Sequence, residues 1–451
     1  MPKKKTALTI EERLQQALVP AEEQPYEVPE NWVWVRLGEV NKYVSKSVNP
    51  ISEPDKIFEL YSVPSMADDY PEIIAGSDIG SSKQSVCKED VLLCKINPRI
   101  NRVWKVSQFT DNELIASSEW IIIRNNHINA NYLMYCFQSK YFREFMLSNV
   151  SGVGGSLMRA QPKYVQTYPI PLPPLSEQQR IVESIEELLA KLDEAKERLQ
   201  EVADSFAVRK AAILHKAFTG ELTKQWRREN GVRDESWEES NFGKFTVSQY
   251  GYTEKAHWEK VGPKFLRITD IQDNKVDWDE VPWCPIDEAG MKQYAVQIGD
   301  IMIARTGATT GKSYLICDDV EAVFASFLIR LKVVDKNLDY NYLYGYMQSE
   351  DYWRQITDFS SGIAQPGVNA NKLKQIKFKC PSLPEQHEIV RLIDDLLARE
   401  RSAQQAAEQA LASIDLMKKS ILARAFRGEL GTNKASEASA LELLKQVLAE
   451  N

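Results

Sequence analysis

Residues 175–189 read LSEQQRIVESIEELL, and residues 383–397 read LPEQHEIVRLIDDLL. The offset of 208 holds without a gap to HKAFTGEL at 215–222 and ARAFRGEL at 423–430. A shared Glu-Gln at the start and a shared Ala-Phe-x-Gly-Glu-Leu at the end make the chain a duplication. Between those ends apolar residues recur at alternating steps of four and three. In the first copy they are Ile181, Ile185, Leu188, Leu192, Ala195, Leu199, Val202 and Phe206. The second copy carries Ile389, Ile393, Leu396, Glu400, Ala403, Ala407, Ala410, Ile414, Met417 and Ile421. This spacing is a coiled-coil seam, narrower than the stripe of an ordinary surface helix. Large residues in one seam facing alanines in the other predict that the two helices pair with each other, antiparallel. At about 1.5 Å per residue, some 42 residues make a rod of roughly 60 Å. Two core helices inside one large domain is the alternative reading.

A weaker repeat lies upstream of each helix. YLMYCFQSKYFREF (132–145) matches YLYGYMQSEDYWRQ (342–355) at an offset of 210, which Ser151-Gly152 and Ser361-Gly362 keep. EDVLLCKINPRINRVWKV (89–106) matches GDIMIARTGATTGKSYLI (299–316) in its apolar and basic pattern but not in its loop. The predicted organisation is an N-terminal extension (1–24), a globular domain (25–175), a helical region (176–222), a second globular domain (223–381), a second helical region (382–431) and a helical tail (432–451). Short β-branched and aromatic runs between Gly/Pro turns make both globular domains α+β. Similar domains with divergent loops suggest one task performed on two different targets.

A chain of 451 residues supports two or three domains with cores of ordinary size. No apolar run approaches the roughly 20 residues of a membrane span, and no h-region follows the opening MPKKK. Six scattered cysteines with no CxxC pair point to free thiols in the cytoplasm and to no metal site. A net charge of −8 is not the usual footprint of a nucleic-acid binder. Its distribution is more telling. Val91–Thr110 contains no Asp or Glu while carrying Lys95, Arg99, Arg102 and Lys105. Ile301–Cys317 is likewise acid-free and carries Arg305 and Lys312. A second acid-free stretch closes each domain: Phe145–Ser176 with Arg159 and Lys163, and Phe359–Pro384 with Lys372 and Lys374. Four matched gaps among 64 acidic residues are a specific signal. With Asn97, Asn101, Thr306, Thr309, Thr310 and Ser313 alongside, these stretches suit phosphates and base edges.

TGATTGKS (306–313) imitates a phosphate-cradling loop, but that motif needs four residues between its glycines and Gly307 and Gly311 enclose three. The first domain has NPRIN there and no glycine. Arg305–Ser313 therefore reads as a DNA-facing loop. No Asn-Pro-Pro-aromatic tetrapeptide, nuclease spacing or nucleophile elbow is present, so no catalytic residue is assigned. Asp90 and Asp300 share a position that reads as turn chemistry.

The duplicated PLPPLSEQQRIV…AFTGEL and CPSLPEQHEIV…AFRGEL helices, the domain opening PENWVWVRLGEV, KINPRINRVW and GDIMIARTGATTGK together resemble the specificity subunits of type I restriction-modification systems. The likeness covers residues 25–431; the second domain's opening, ESWEESNFGKF, departs from the pattern. It implies two target-recognition domains, each reading half of a bipartite double-stranded DNA site, separated by two long antiparallel coiled-coil helices in a pseudo-two-fold repeat. The helices would set the unread spacer. It further implies two methyltransferase (modification) subunits and, in the full complex, restriction subunits. S-adenosylmethionine, Mg²⁺ and ATP would reside on those partners, with no cofactor on this chain. By likeness, Arg267 and Thr269 join the DNA contacts. A coiled-coil scaffold without DNA binding and a nucleotide-binding enzyme are the competing readings.

Overall fold

The structure is a computed structural model and describes residues 8–152, 158–233, 236–360 and 367–449. Two units are formed, each discontinuous in sequence: unit 1 takes the chain up to Leu199 and from Ala410 onward, and unit 2 takes Gln200–Gln409. The duplicated motif fills a first helical stretch, Leu175–Asp204 followed by Phe206–Phe218, and a second helix, Leu383–Ala425. Each unit thus holds one α+β domain and a segment of both helical stretches. In unit 1, Ile181, Ile185 and Leu189 share a core with Ile421, Leu422, Ala425 and Phe426. Leu214 and Ala217 share the core of unit 2 with Ile389 and Ile393. Asp193 pairs with Lys418 and Glu177 meets Thr432 in unit 1, while Arg209 pairs with Glu400 and Thr223 meets Glu385 in unit 2, so rising numbers meet falling ones and the segments run antiparallel.

Unit 1 contains a five-stranded sheet, in the order Ser47–Val48, Lys83–Ser85, Glu113–Ala116, Ile57–Tyr61, Glu72–Ala75. Beside it lies a three-stranded antiparallel sheet of Val103–Lys105, Val91–Cys94 and Trp120–Ile123. Unit 2 has a four-stranded sheet of Thr246–Tyr250, Leu328–Val333, Ile301–Ala304 and Ser313–Leu315. Each domain is fastened where it begins and ends: Val33–Arg36 pairs with Pro169–Leu172, and Glu238–Asn241 pairs with Lys377–Cys380. Asp90 and Asp300 each accept from the backbone N–H three residues earlier, of Cys87 and Gln297. Each is also held by an arginine of a neighbouring strand or its end, Arg124 or Arg330. Burial pushes the Asp300 carboxyl above the ordinary range while Arg330 pulls it back.

The repeated Glu-Gln has a structural explanation. Glu177 is fully buried and accepts from the Trp32 indole at 2.8 Å, Asn433 at 2.9 Å and Thr432 at 3.3 Å. Glu385, also fully buried, accepts from Thr223 at 2.7 Å, Arg227 at 2.8 Å and the Trp237 indole at 3.0 Å. Gln178 accepts from the Asn129 N–H and donates to the Pro173 carbonyl; Gln386 does the same with Asp339 and Pro381. A buried carboxylate without such donors would cost several kcal/mol. Trp237 therefore restores the correspondence that ESWEESNFGKF hides: it stands to Glu385 as Trp32 stands to Glu177.

The seam follows helical phase more strictly than the apolar residues suggest. Leu188 is 36% exposed, and Leu189, a step of four beyond Ile185, takes its place in the core. In the second helix Ala403 is exposed while Gln404 and Lys418 are half-buried. Ile181, Ile185, Ile389, Ile393, Ala407 and Ile414 are buried as the seam requires; Leu192, Leu199, Phe206 and Leu396 are half-buried. Polar residues survive there through ion pairs across the helices: Arg209 with Glu400 in unit 2, and Lys418 with Asp193 in unit 1.

Both extensions contribute to the core of unit 1. The helices Ile10–Ala17 and Ala440–Ala449 pack on one another within unit 1. Ala17, Ala440, Leu444, Val447 and Leu448 are fully buried in its core. Arg180 clamps the tail by a two-pronged pair with Glu437.

Candidate nucleic-acid interface

In unit 1 the strands Val91–Cys94 and Val103–Lys105 form an antiparallel hairpin around residues 95–102. In unit 2, Ile301–Ala304 and Ser313–Leu315 do so around residues 305–312. The two loop sequences share no residue between NPRIN and GATTG, yet their backbones follow one path. Asn97 and Asn101 have φ of 47° and 53°; Gly307 and Gly311 have 79° and 87°. Asn and Gly are the residue types that enter the left-handed region most readily. The Ile100 N–H donates to the Asn97 carbonyl at 3.0 Å, and Thr310 to Gly307 at 3.1 Å. Cys94 donates to the Arg102 carbonyl at 3.0 Å, and Ala304 to Lys312 at 2.9 Å. After TGATTGK the chain folds back as a strand, whereas a phosphate-cradling loop opens a helix whose N–H groups meet the anion.

The second acid-free stretch of each unit joins the first. Ile96 bridges Arg159 and Thr306 bridges Gly367 in the same antiparallel sense. The Ala160 N–H donates to the Lys95 carbonyl at 2.8 Å, and Val368 to Arg305 at 2.9 Å. Short helices, Pro162–Val165 and Ala370–Lys374, come next in each case. Segments 153–157 and 361–366, with Ser361-Gly362, lie outside the described residues, as does the basic opening at 3–5.

Of the predicted contacts, Arg99, Lys163, Lys312 and Lys374 stand exposed on these segments, and Arg159, also exposed, pairs with Glu119 at 3.4 Å. Lys95, Asn97, Arg102, Thr306 and Thr309 are half-buried there. Arg305 lies over the Tyr250 ring at 5.0 Å and donates to the Ser326 carbonyl at 3.3 Å. Other residues are committed elsewhere. Ser313 is buried in its strand and receives the Gln348 amide at 3.0 Å, and the buried Thr310 hydroxyl donates to the Gly307 carbonyl. Asn101 donates to the Gln138 carbonyl and Lys372 to that of Phe359. Lys105 sits at the far end of the hairpin from the turn and pairs with Glu89. Arg267 makes a two-pronged pair with Asp270 and lies 5.6 Å from the Trp258 ring; Thr269 is exposed beside it. These side chains hold the local fold, which sequence spacing does not reveal.

Several supporting residues carry no signal in composition. Arg143 holds the Arg99 carbonyl from the helix Lys140–Ser148. Tyr352, on Glu350–Ser360, donates to the Gly311 carbonyl at 2.8 Å. Their place in the 132–145 and 342–355 repeat is the one clue that could have found them. Among the described residues no group of three His, Cys, Asp or Glu is placed to hold a metal ion, and no helix is long and apolar enough to cross a membrane.

Comparison with known proteins gives the same picture twice along the chain. The model of the family described as type I restriction modification DNA specificity domain matches residues 29–204 and again 236–410. The EcoBI specificity subunit of Escherichia coli is 29% identical over 304 residues, 62% of this chain and 64% of that one, so the match spans less than two thirds of that relative. The StySPI specificity subunit of Salmonella potsdam is 28% identical over 341 residues, 72% of each chain. The crystal structure of the HsdS subunit from Thermoanaerobacter tengcongensis shares the fold with a TM-score of 0.70 at 22% identity, covering 90% of this chain and all of that one.

Proposed function

The chain belongs to the type I restriction-modification DNA specificity family, and from that premise we propose that it is the DNA-reading subunit of such a complex. Each unit reads one half of a bipartite double-stranded site, and the paired helices fix the spacer. The observation that carries this reading is the meeting, in each unit, of two acid-free basic stretches distant in sequence. Ile96–Arg159 and Thr306–Gly367 hold them together on one backbone path bearing two different sets of side chains. Exposed Arg99, Arg159, Lys163, Lys312 and Lys374 neutralise phosphates. The side chains that differ between the loops supply sequence preference.

The chain itself is non-catalytic and binds no cofactor. Two methyltransferase subunits, with restriction subunits in the full complex, supply S-adenosylmethionine, Mg²⁺ and ATP, and the assembly works in the cytoplasm. Helix faces away from the seam dock the methyltransferases. The test is duplex binding by the full-length chain across a salt series. A steep loss of affinity with salt and enrichment of a two-part sequence from a randomised pool are expected. Absence of both would leave a helical scaffold. Inserting one heptad into each paired helix should lengthen the spacer and leave both halves unaltered.

A further inference from the structure

A third turn closes against each hairpin loop. In unit 1 the Lys95 N–H donates to the Glu119 carbonyl at 3.0 Å, and Trp120 to Ser117 at 3.1 Å. In unit 2 the Arg305 N–H donates to the Phe327 carbonyl at 3.1 Å, and Leu328 to Ala325 at 2.9 Å. The donors Lys95 and Arg305 are related by the offset of 210 seen in the upstream repeat, and Ser117, Glu119 and Trp120 stand to Ala325, Phe327 and Leu328 at the 208 that relates the long helices. Glu119 and Phe327 therefore occupy one position, against the loop that differs most between the domains.

Their side chains differ in kind. Glu119 brings a carboxylate back among stretches the sequence leaves without acids, 3.4 Å from Arg159 Nε. Arg159 is itself 47% exposed, so this pair contributes little to stability. A carboxylate on a DNA-facing surface is repelled by phosphate; its compatible partners there are the exocyclic amines of bases. Phe327 is 59% exposed at the tip of its turn. Behind it Arg305 is fixed by the Tyr250 ring and the Ser326 carbonyl, while Tyr250 Oη accepts from the Ala370 N–H at 3.1 Å. A single exposed phenylalanine is ordinary on a protein surface. One held on a pinned arginine between the two acid-free stretches is placed for an apolar contact in the groove.

We propose that Glu119 and Phe327 are the equivalent base-reading positions of the two units. Glu119 accepts a hydrogen bond from the exocyclic amine of cytosine or adenine in one half-site. Phe327 packs on the C5-methyl of thymine in the other. This rests on the DNA-reading function proposed above.

The experiment is selection from a randomised duplex pool by the full-length chain and by Glu119→Ala, Glu119→Gln and Phe327→Ala. All three changes lie at solvent-accessible turns, and unchanged thermal unfolding verifies the fold. Glu119→Ala should relax preference at one base pair of one half-site, and Phe327→Ala at one base pair of the other half. Replacing the selected thymine by uracil should weaken wild-type binding about fivefold and leave Phe327→Ala unaffected. Variants that select the wild-type sequence with wild-type stringency overturn the proposal, as does indifference of the wild type to uracil. A wild-type chain that enriches no sequence overturns the DNA-reading function, and this inference falls with it.

Discussion

In unit 1 the buried Glu177 gathers Trp32 from near one end of the chain and Thr432 and Asn433 from near the other. In unit 2 the buried Glu385 gathers Thr223 and Trp237, which a short connection joins. The donors are alike, but the connectivity is not. Each carboxylate lies about equally far from its tryptophan, 145 and 148 residues, but the donors of unit 2 are themselves joined by a short connection and so cost less chain entropy to gather. Unit 1 must bring together groups 402 residues apart, as Asn433 does with Asn31. It compensates with contacts that unit 2 lacks: the terminal helices, with Leu444 and Val447 fully buried, and the Arg180–Glu437 pair. Unit 2 instead places a cation, Arg227, on its carboxylate, both side chains nearly or fully buried. One contact has thus been stabilised by packing in one unit and by charge in the other.

Removing each device in turn should break that comparison. Glu385→Ala leaves Arg227 buried without its carboxylate and should destabilise unit 2 by about 3–5 kcal/mol. Glu177→Gln, which faces neutral donors and keeps an acceptor, should cost unit 1 only about 1 kcal/mol. Urea unfolding of the two variants measures the gap; equal losses would show that the cation is irrelevant. Leu444→Ala should cost about 2–4 kcal/mol and lower the unfolding midpoint of unit 1 alone, read by hydrogen exchange. Between the loops, Gly311→Ala meets Ile356 at 2.6 Å in addition to an unfavourable φ, and should cost about 2–3 kcal/mol. Gly307→Ala meets no neighbour and should cost about 1 kcal/mol in the same thermal assay. The seam is tested by a pair of changes: Leu189→Ala should cost about 1–2 kcal/mol and Leu188→Ala less than about 0.5, and the reverse order would restore the apolar reading of the seam.

The salt slope sharpens the functional side. Lys374→Ala should weaken duplex binding uniformly across sequences and reduce the slope of log K against log salt by about one. An unchanged slope would remove Lys374 from the interface.

The duplication was fully legible, because a gapless offset of 208 needs no structure to be seen. So were the α+β class, the two long helices and the family. The four acid-free basic stretches on which the proposed interface rests were legible, since local charge is a property of composition. Which of their side chains stand free was legible only in part. Ser313, Thr310 and Arg267 read as free polar groups, yet each is consumed by a neighbour that arrives from elsewhere in the fold: Gln348, the Gly307 carbonyl and Asp270. Glu119 and Phe327 gave no signal, because their significance is a backbone hydrogen bond to a distant strand end.

Hydrophobic periodicity and local charge act between residues near in sequence, and so the sequence by itself determined the repeat, the helices and the basic character of the loops. Tertiary structure alone decided which carboxylates are buried, which phase of the helix forms the seam and which side chains remain unspent. Those outcomes depend on donors, acceptors and volumes supplied by residues as far apart as Asn31 and Asn433, and burial makes an unmatched partner there costly enough to select one arrangement.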